Sequence, residues 1–373
     1  LPQPPTARPG QTGVLPQPPT ARPRQTGVLP QPPTARPGQT GVLPQPPTAR
    51  PGQTGVLPRS LVARSGQTGA PYRILPNGLV NFRNTCYINT VMQLLRATQE
   101  FAKPLVECSI EHPLISELRK IILALNSPGG ISGNHLMEAL RGIYGFWRKP
   151  FDVNYQGDVL FFMGECISDL GKIFPSGSTG EGIADCFRFG LRRIYRPDDP
   201  VHAFDEDSLV QQEFFLQIRM VPGNSGFIQA LRNFSAPGHM SQELDNGVEI
   251  GVTTHNRIEN FPRVFLIQIE RFIDTNYLSS EKDNRPMPIP SKFNFPREAM
   301  VRPHLVECEL IGVAAHFGET SLSGHYIAYI KTDGGFWEFN DSRVRWMSNE
   351  EAQGAFATRS RIAVVRCREI EQE

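Results

Sequence analysis

Residues 78–93 read GLVNFRNTCYINTVMQ, a polar, turn-prone run that gives way at Cys86 to a helical stripe. Apolar residues fall at Ile88, Val91, Met92 and Leu95, the i, i+3, i+4, i+7 spacing of a helix with one buried face. Asn84 or Thr85 stands where an N-cap belongs, which puts Cys86 in the first turn. Unpaired N–H groups and the positive end of the helix dipole favour a thiolate there. Cys86 is then either a nucleophile or a small buried hydrophobe. A nucleophile also needs a base and an oxyanion donor elsewhere in the chain.

Among eight histidines, His325 is the one with suggestive neighbours. It opens a strand-like run, GHYIAYIK, and the next run ends in Phe339-Asn340-Asp341, so a hairpin brings an amide or a carboxylate back beside the ring. Such a third group fixes the tautomer and steadies the imidazolium. The alternative is an ordinary strand-end histidine beside a surface turn. Five residues before Cys86, Asn81 can offer a side-chain amide to an oxyanion while the Cys86 N–H offers a second donor; taken alone, it reads as a turn residue.

The rest of the chain sets the frame. Residues 1–70 are five copies of a 14-residue repeat, LPQPPTARPGQTGV, degraded in the last copy. With only Val-Leu at each junction, the repeats bury no core, so the expectation is a disordered, partly polyproline arm rather than a solenoid. The arm holds seven arginines and no acid; of 38 basic residues in the chain, 31 remain in the body against 37 acidic, a net −6. Without lysine blocks or interleaved aromatics, the arm argues against a nucleic-acid partner and for a linker or a docking segment for proline-reading domains. No apolar run reaches membrane-spanning length and no signal-like core precedes the arm, so an intracellular protein, cytoplasmic or nuclear, is expected. Six scattered cysteines form no C-x-x-C, which writes neither a disulfide framework nor a zinc site.

Within the body, 71–373, helices are expected at 114–125, 135–144 and 156–170 besides the one at Cys86. After position 187 come strand-like runs: FRFGLRRIY, EFFLQIRM, GVEIGVTT and RVFLIQIERF, then a meander of ELIGVAAHFG, GHYIAYIK and GGFWEFND. Helices first and strands afterwards indicate an α+β fold.

These spacings resemble a known family. GLVNFRNTCYINTVMQ is similar to the cysteine box of the ubiquitin-specific proteases, G-L-x-N-x-G-N-T-C-Y-x-N-x-x-x-Q, in Gly78, Leu79, Asn81, Asn84, Thr85, Cys86, Tyr87, Asn89 and Gln93. Gly324, His325, Tyr326, Ala328, Tyr329, Trp337, Phe339, Asn340, Asp341 and Val344 match the histidine box, G-H-Y-x-A-Y followed by W-x-x-F-N-D-x-x-V. Between them Gln156-Gly157-Asp158, FPRVFLIQIERF and His316-Phe317-Gly318 resemble three further markers, in family order. The resemblance implies a papain-like fold with a helical thumb, and a palm and fingers of antiparallel β-structure that hold ubiquitin or a ubiquitinated protein. It implies Cys86 as nucleophile, His325 as base, Asn340 as the residue orienting the base, Asp341 as its support or substitute, and Asn81 as oxyanion donor, with no metal or organic cofactor.

Two departures stand out. Arg83 replaces the glycine of G-N-T-C, and if that position needs φ > 0 the substitution costs about 1 kcal/mol or more. The paired C-x-x-C motifs that pin the fingertips with zinc in many members are absent; the acidic stretch IYRPDDPVHAFDEDSL at 194–209 stands in that region, and Phe161-Phe162 follows the Gln156 box where the family has E-F. The sequence therefore also admits a ubiquitin-binding scaffold that has lost catalysis, or a protease for a ubiquitin-like modifier.

Overall fold

The computed structural model describes residues 74–174, 182–198, 207–219, 226–243, 249–276, 279–320 and 323–370. The repeat arm, 1–70, and residues 199–206 of the acidic stretch lie outside the described residues. Helices come first: α1 Cys86–Ala97, α2 Gln99–Glu107, α3 Pro113–Leu125, α4 Gly133–Phe146 and α5 Val159–Ile173. There follow strands β1 Phe189–Pro197, β2 Asp207–Glu213 and β3 Phe215–Arg219, helix α6 Phe227–Phe234, and strands β4 Gly238–Glu243, β5 Glu249–Asn260 and β6 Val264–Glu270. The chain continues through the hairpin β7 Phe272–Asn276 and β8 Ser279–Lys282, then β9 Lys292–Asn294, β10 Leu305–Thr320, β11 Ser323–Thr332, β12 Gly335–Asn340, β13 Arg343–Ser348, helix α7 Asn349–Phe356 and β14 Ser360–Ile370. This is the α+β arrangement expected.

Eight strands form the main sheet in the order β13-β12-β11-β10-β14-β6-β3, with β9 added on β10. A separate four-stranded sheet runs β2-β1-β5-β4. Helical block, large sheet and small sheet take the places of thumb, palm and fingers. The central strands of the palm are buried on both faces, which is why they read as unbroken apolar runs. On β14, Ile362 and Val364 pack with the helices while Ala363 and Val365 pack on the opposite face with Phe356 of α7 and Leu231 of α6. One correction concerns strand direction: β3 pairs with β6 in parallel, Leu216 opposite Ile267, because the chain leaves through α6 and the small sheet before it returns.

Helix α1 is also not the one-faced helix its stripe predicts, since all twelve of its residues are buried. Its polar face is clamped by backbone instead of water. Gln93 donates to the Asn77 carbonyl at 2.9 Å, and Arg96 donates to the carbonyls of Leu125 and Leu75 at 2.9 and 3.0 Å. Buried amide and guanidinium groups are tolerated when bonded in this way. Helix α1 is thus the central post of the thumb, and it fixes the loop that leads into Cys86.

Candidate active site

The loop 77–85 is held to the end of β12 by close backbone contact. The Leu79 N–H donates to the Asp341 carbonyl at 3.0 Å. A Cβ on Gly78 would stand 2.4 Å from that same oxygen, so only a residue without a side chain lets the two segments approach this far. Asp341 has φ 55, in the left-handed region, and this turn aims its carboxylate back at the thumb. Its Oδ1 accepts from Asn89 at 2.8 Å and its Oδ2 from Asn81 at 2.9 Å.

Asn81 is therefore already engaged on one N–H, and its Oδ1 accepts the Thr85 N–H at 3.0 Å. An amide nitrogen carries two hydrogens, so the second remains for an oxyanion. Thr85 occupies the N-cap position of α1, but its hydroxyl accepts from the Phe82 N–H at 2.9 Å and caps nothing in the helix. The N–H groups of the first turn, Cys86 included, have no acceptor within the helix.

Arg83 does adopt φ 70. The N–H of Asn84 donates to the Phe82 carbonyl at 3.0 Å, closing a tight three-residue turn around it, and to the Val153 carbonyl at 3.2 Å. The guanidinium lies on the surface and donates to Asn154 Oδ1 at 2.6 Å. The positive φ that glycine would supply is thus supplied by arginine, with the side chain held at Asn154.

Across the cleft, His325 Nε2 stands 2.8 Å from Asn340 Oδ1 and 3.7 Å from Asp341 Oδ2. That leaves Nδ1 for the Cys86 thiol. The pKa of His325 is raised from 6.5 to about 9, first by its hydrogen bond to Cys86 and then by the one to Asn340, against the opposing effect of burial. Asp341 contributes attraction across space. Cys86, His325, Asn340, Asp341 and Asn81 thus converge on one place, where His325 and Asn340 border an open cleft of about 370 Å³.

Further residues position this group. Gln156 donates to the Gly324 carbonyl at 2.6 Å, and Asp158 accepts from the Tyr326 hydroxyl at 2.7 Å, so the Gln156-Gly157-Asp158 box holds the residues on both sides of His325, one by its backbone and one by its side chain. Asp158 also caps α5 through the Leu160 N–H at 2.7 Å, which is why that helix starts at Val159 and not at 156. His316 is completely buried, 4.6 Å from the Tyr326 ring, and neither of its ring nitrogens has a hydrogen-bond partner. Burial, with Lys282 nearby, holds its pKa down to about 4, so it stays neutral. Among the described residues no group of three or more His, Cys, Asp or Glu side chains is placed to hold a metal ion, and no helix is long and apolar enough to cross a membrane.

A family profile described as ubiquitin carboxyl-terminal hydrolase matches residues 77–364. Ubiquitin carboxyl-terminal hydrolase 23 of Arabidopsis thaliana is 25% identical over 332 residues, covering 78% of this chain and 36% of its own length. Ubiquitin carboxyl-terminal hydrolase 8 of Saccharomyces cerevisiae is 33% identical over 106 residues, covering 25% of this chain and 22% of its own. The chain spans only 26% to 36% of the length of four such relatives from Arabidopsis and rice. Among solved structures, the SAGA Ubp8/Sgf11/Sus1/Sgf73 module bound to ubiquitin aldehyde superposes with a TM-score of 0.65 at 19% identity, over 79% of this chain and 70% of the other. That likeness establishes the fold.

Proposed function

From a chain that belongs to the ubiquitin carboxyl-terminal hydrolase family, we propose a cysteine-type deubiquitinase that cleaves the peptide or isopeptide bond after the C-terminal glycine of ubiquitin. The observation that carries this reading is His325 set between Cys86 and Asn340. His325 takes the Cys86 proton, and the thiolate attacks the carbonyl carbon. The oxyanion is met by the Cys86 N–H and by the second N–H of Asn81. Collapse expels the lysine amine, protonated by His325, and leaves a thioester on Cys86. His325 then deprotonates water, which releases the ubiquitin carboxylate and restores the thiol. Asn340 keeps the imidazole in the tautomer that presents Nδ1 to Cys86, and Asp341 supports the imidazolium.

The relative bound to ubiquitin aldehyde supports ubiquitin as the partner. The arm is proposed as a docking segment for proline-reading domains, and the protein as intracellular. A second reading, a ubiquitin-binding scaffold, draws on Arg83 in its tight turn and on an Asn81 amide already half engaged. A ubiquitin carrying a C-terminal thiol-reactive group discriminates the two. Covalent labelling that Cys86→Ala abolishes supports the protease, and binding without labelling supports the scaffold. Competition by ubiquitin-like proteins for the same site tests which modifier is preferred.

A further inference from the structure

Far from Cys86 in the sequence, β10 and β14 carry a pair of cysteines on directly opposed positions, Cys308 and Cys367. Their sulfurs are 3.6 Å apart and unbonded. The Cys367 N–H is committed to the Arg263 carbonyl at 2.9 Å, on the far side of β14. Val306 and Leu310, in step with Cys308, bond outward to Phe295 and Ser291 on the side away from β14. Cys308 and Cys367 therefore form a non-hydrogen-bonded antiparallel pair, the kind whose Cα atoms approach to about 4.5 Å. This lies within the span a disulfide bridges. Closing the bond asks the strands to draw together by on the order of 1 Å at Cβ. The register of β10 against β14 shifts between Leu310 and Gly312, two residues from Cys308, which gives that strand slack.

Cys308 lines a cleft of about 340 Å³ together with Lys292, Glu309 and Arg366. Cys367, like Cys308, is buried, and its thiol pKa is raised by the hydrogen bond to Cys308 and by burial, so the proton stays on Cys367.

We propose that Cys308 and Cys367 are a thiol–disulfide site, closed by a peroxide into a cross-strand disulfide and reopened by a dithiol reductant. The Cys308 thiolate attacks one peroxide oxygen and breaks the O–O bond, giving a sulfenic acid and releasing hydroxide, or water once protonated. The Cys367 sulfur then displaces that hydroxyl as water, and its proton leaves with it. Two thiols and one hydrogen peroxide become one disulfide and two waters. The site is independent of the proposed protease activity and shares no residue with it.

The test uses the full chain, reduced, freed of reductant and exposed to hydrogen peroxide. Remaining thiols are alkylated under denaturing conditions, and the digest is mapped without reductant. A linked species joining the peptides of Cys308 and Cys367, lost on treatment with dithiothreitol, is expected. In Cys308→Ala, Cys367 should stay alkylatable after the same exposure. Full alkylation of both residues in the unaltered chain, once Cys86 has been oxidised, overturns the proposal. So does a Cys308 that ends as sulfinic acid beside a free Cys367, or a Cys367 that oxidises equally well without Cys308. Mapping of the unaltered chain decides the matter even if the variant fails to fold.

Discussion

Replacing Gly78 by alanine places one methyl group against the turn that carries Asn340 and Asp341. The added carbon would lie 2.4 Å from the Asp341 carbonyl oxygen and 2.7 and 2.9 Å from backbone carbons of Ser342, where ordinary contact begins at 3.4 Å. All three are main-chain atoms, so no side chain can swing aside, and the segments must part by about 1 Å. Overpacking of this kind costs about 1–3 kcal/mol. The three bonds that meet at Asp341, from Leu79, Asn81 and Asn89, loosen together. Since a displacement of about 1 Å in a catalytic group is worth about 100-fold in rate, kcat on a ubiquitin C-terminal fluorogenic amide should fall about 100-fold. KM should move by less than about threefold, because ubiquitin's globular body would be held elsewhere. Gly145→Ala in α4, where a Cβ meets nothing within 4 Å, is the control and should leave turnover unchanged. A Gly78→Ala protein with a lowered melting temperature but full kcat would refute the claim that this contact positions the catalytic turn; an unchanged melting temperature would refute the clash itself.

Arg83→Gly should leave the loop as it is, since arginine already holds φ 70; turnover within about threefold of the parent and stability within about 1 kcal/mol are expected, while a tenfold gain in turnover would mean that Arg83 restrains the loop. The pKa of His325 is raised from 6.5 to about 9, so the stability it lends is fully present below 6.5 and is lost as pH rises through about 9. Because protonated His325 must deliver the leaving amine's proton, the kcat/KM profile should fall along a basic limb near pH 9, and Asn340→Ala, by removing one of the bonds that raises this pKa, should move that limb toward neutrality; an unmoved limb would detach Asn340 from the imidazole. Asp158→Ala removes the α5 cap and strands the Tyr326 hydroxyl, which should lower stability by about 2–3 kcal/mol in a denaturant titration, and a loss under about 0.5 kcal/mol would show those bonds to be dispensable.

The sequence made Cys86 legible because an apolar stripe starting beside a polar run marks a helix end wherever it occurs. His325 and Asn340 were legible because a hairpin brings strand neighbours together by local rules: Phe339 pairs with Ala328 in the register this requires. What joins the two halves was not legible. Whether Asp341 serves the imidazole or the thumb depends on a left-handed turn at φ 55, and its bonds to Asn81 and Asn89 cross more than 250 positions. The polar face of α1 read as a solvent face because periodicity cannot tell water from clamping carbonyls. Helix α2 was hidden by Pro104, and α7 by its weak amphipathicity, although Ser348 and Glu351 form a capping box that sequence alone could have flagged. The parallel pairing of β3 with β6 escaped because runs buried on both faces look the same in either direction.

The last strand among the described residues, β14, does not sit at the rim of the palm but between β10 and β6. A chain emerging from the ribosome must therefore complete β6, the hairpin and the segments that carry Cys86 and His325 while two long apolar strand margins stand open, waiting for Ser360–Ile370 to fill the gap. The thumb can form early from near neighbours, but nascent palms on one polysome offer each other the same vacancy. The geometry of the sheet thus makes the interval before β14 is synthesised the moment of greatest exposure to aggregation, and it gives a holding chaperone a definite target: the slot that β14 closes.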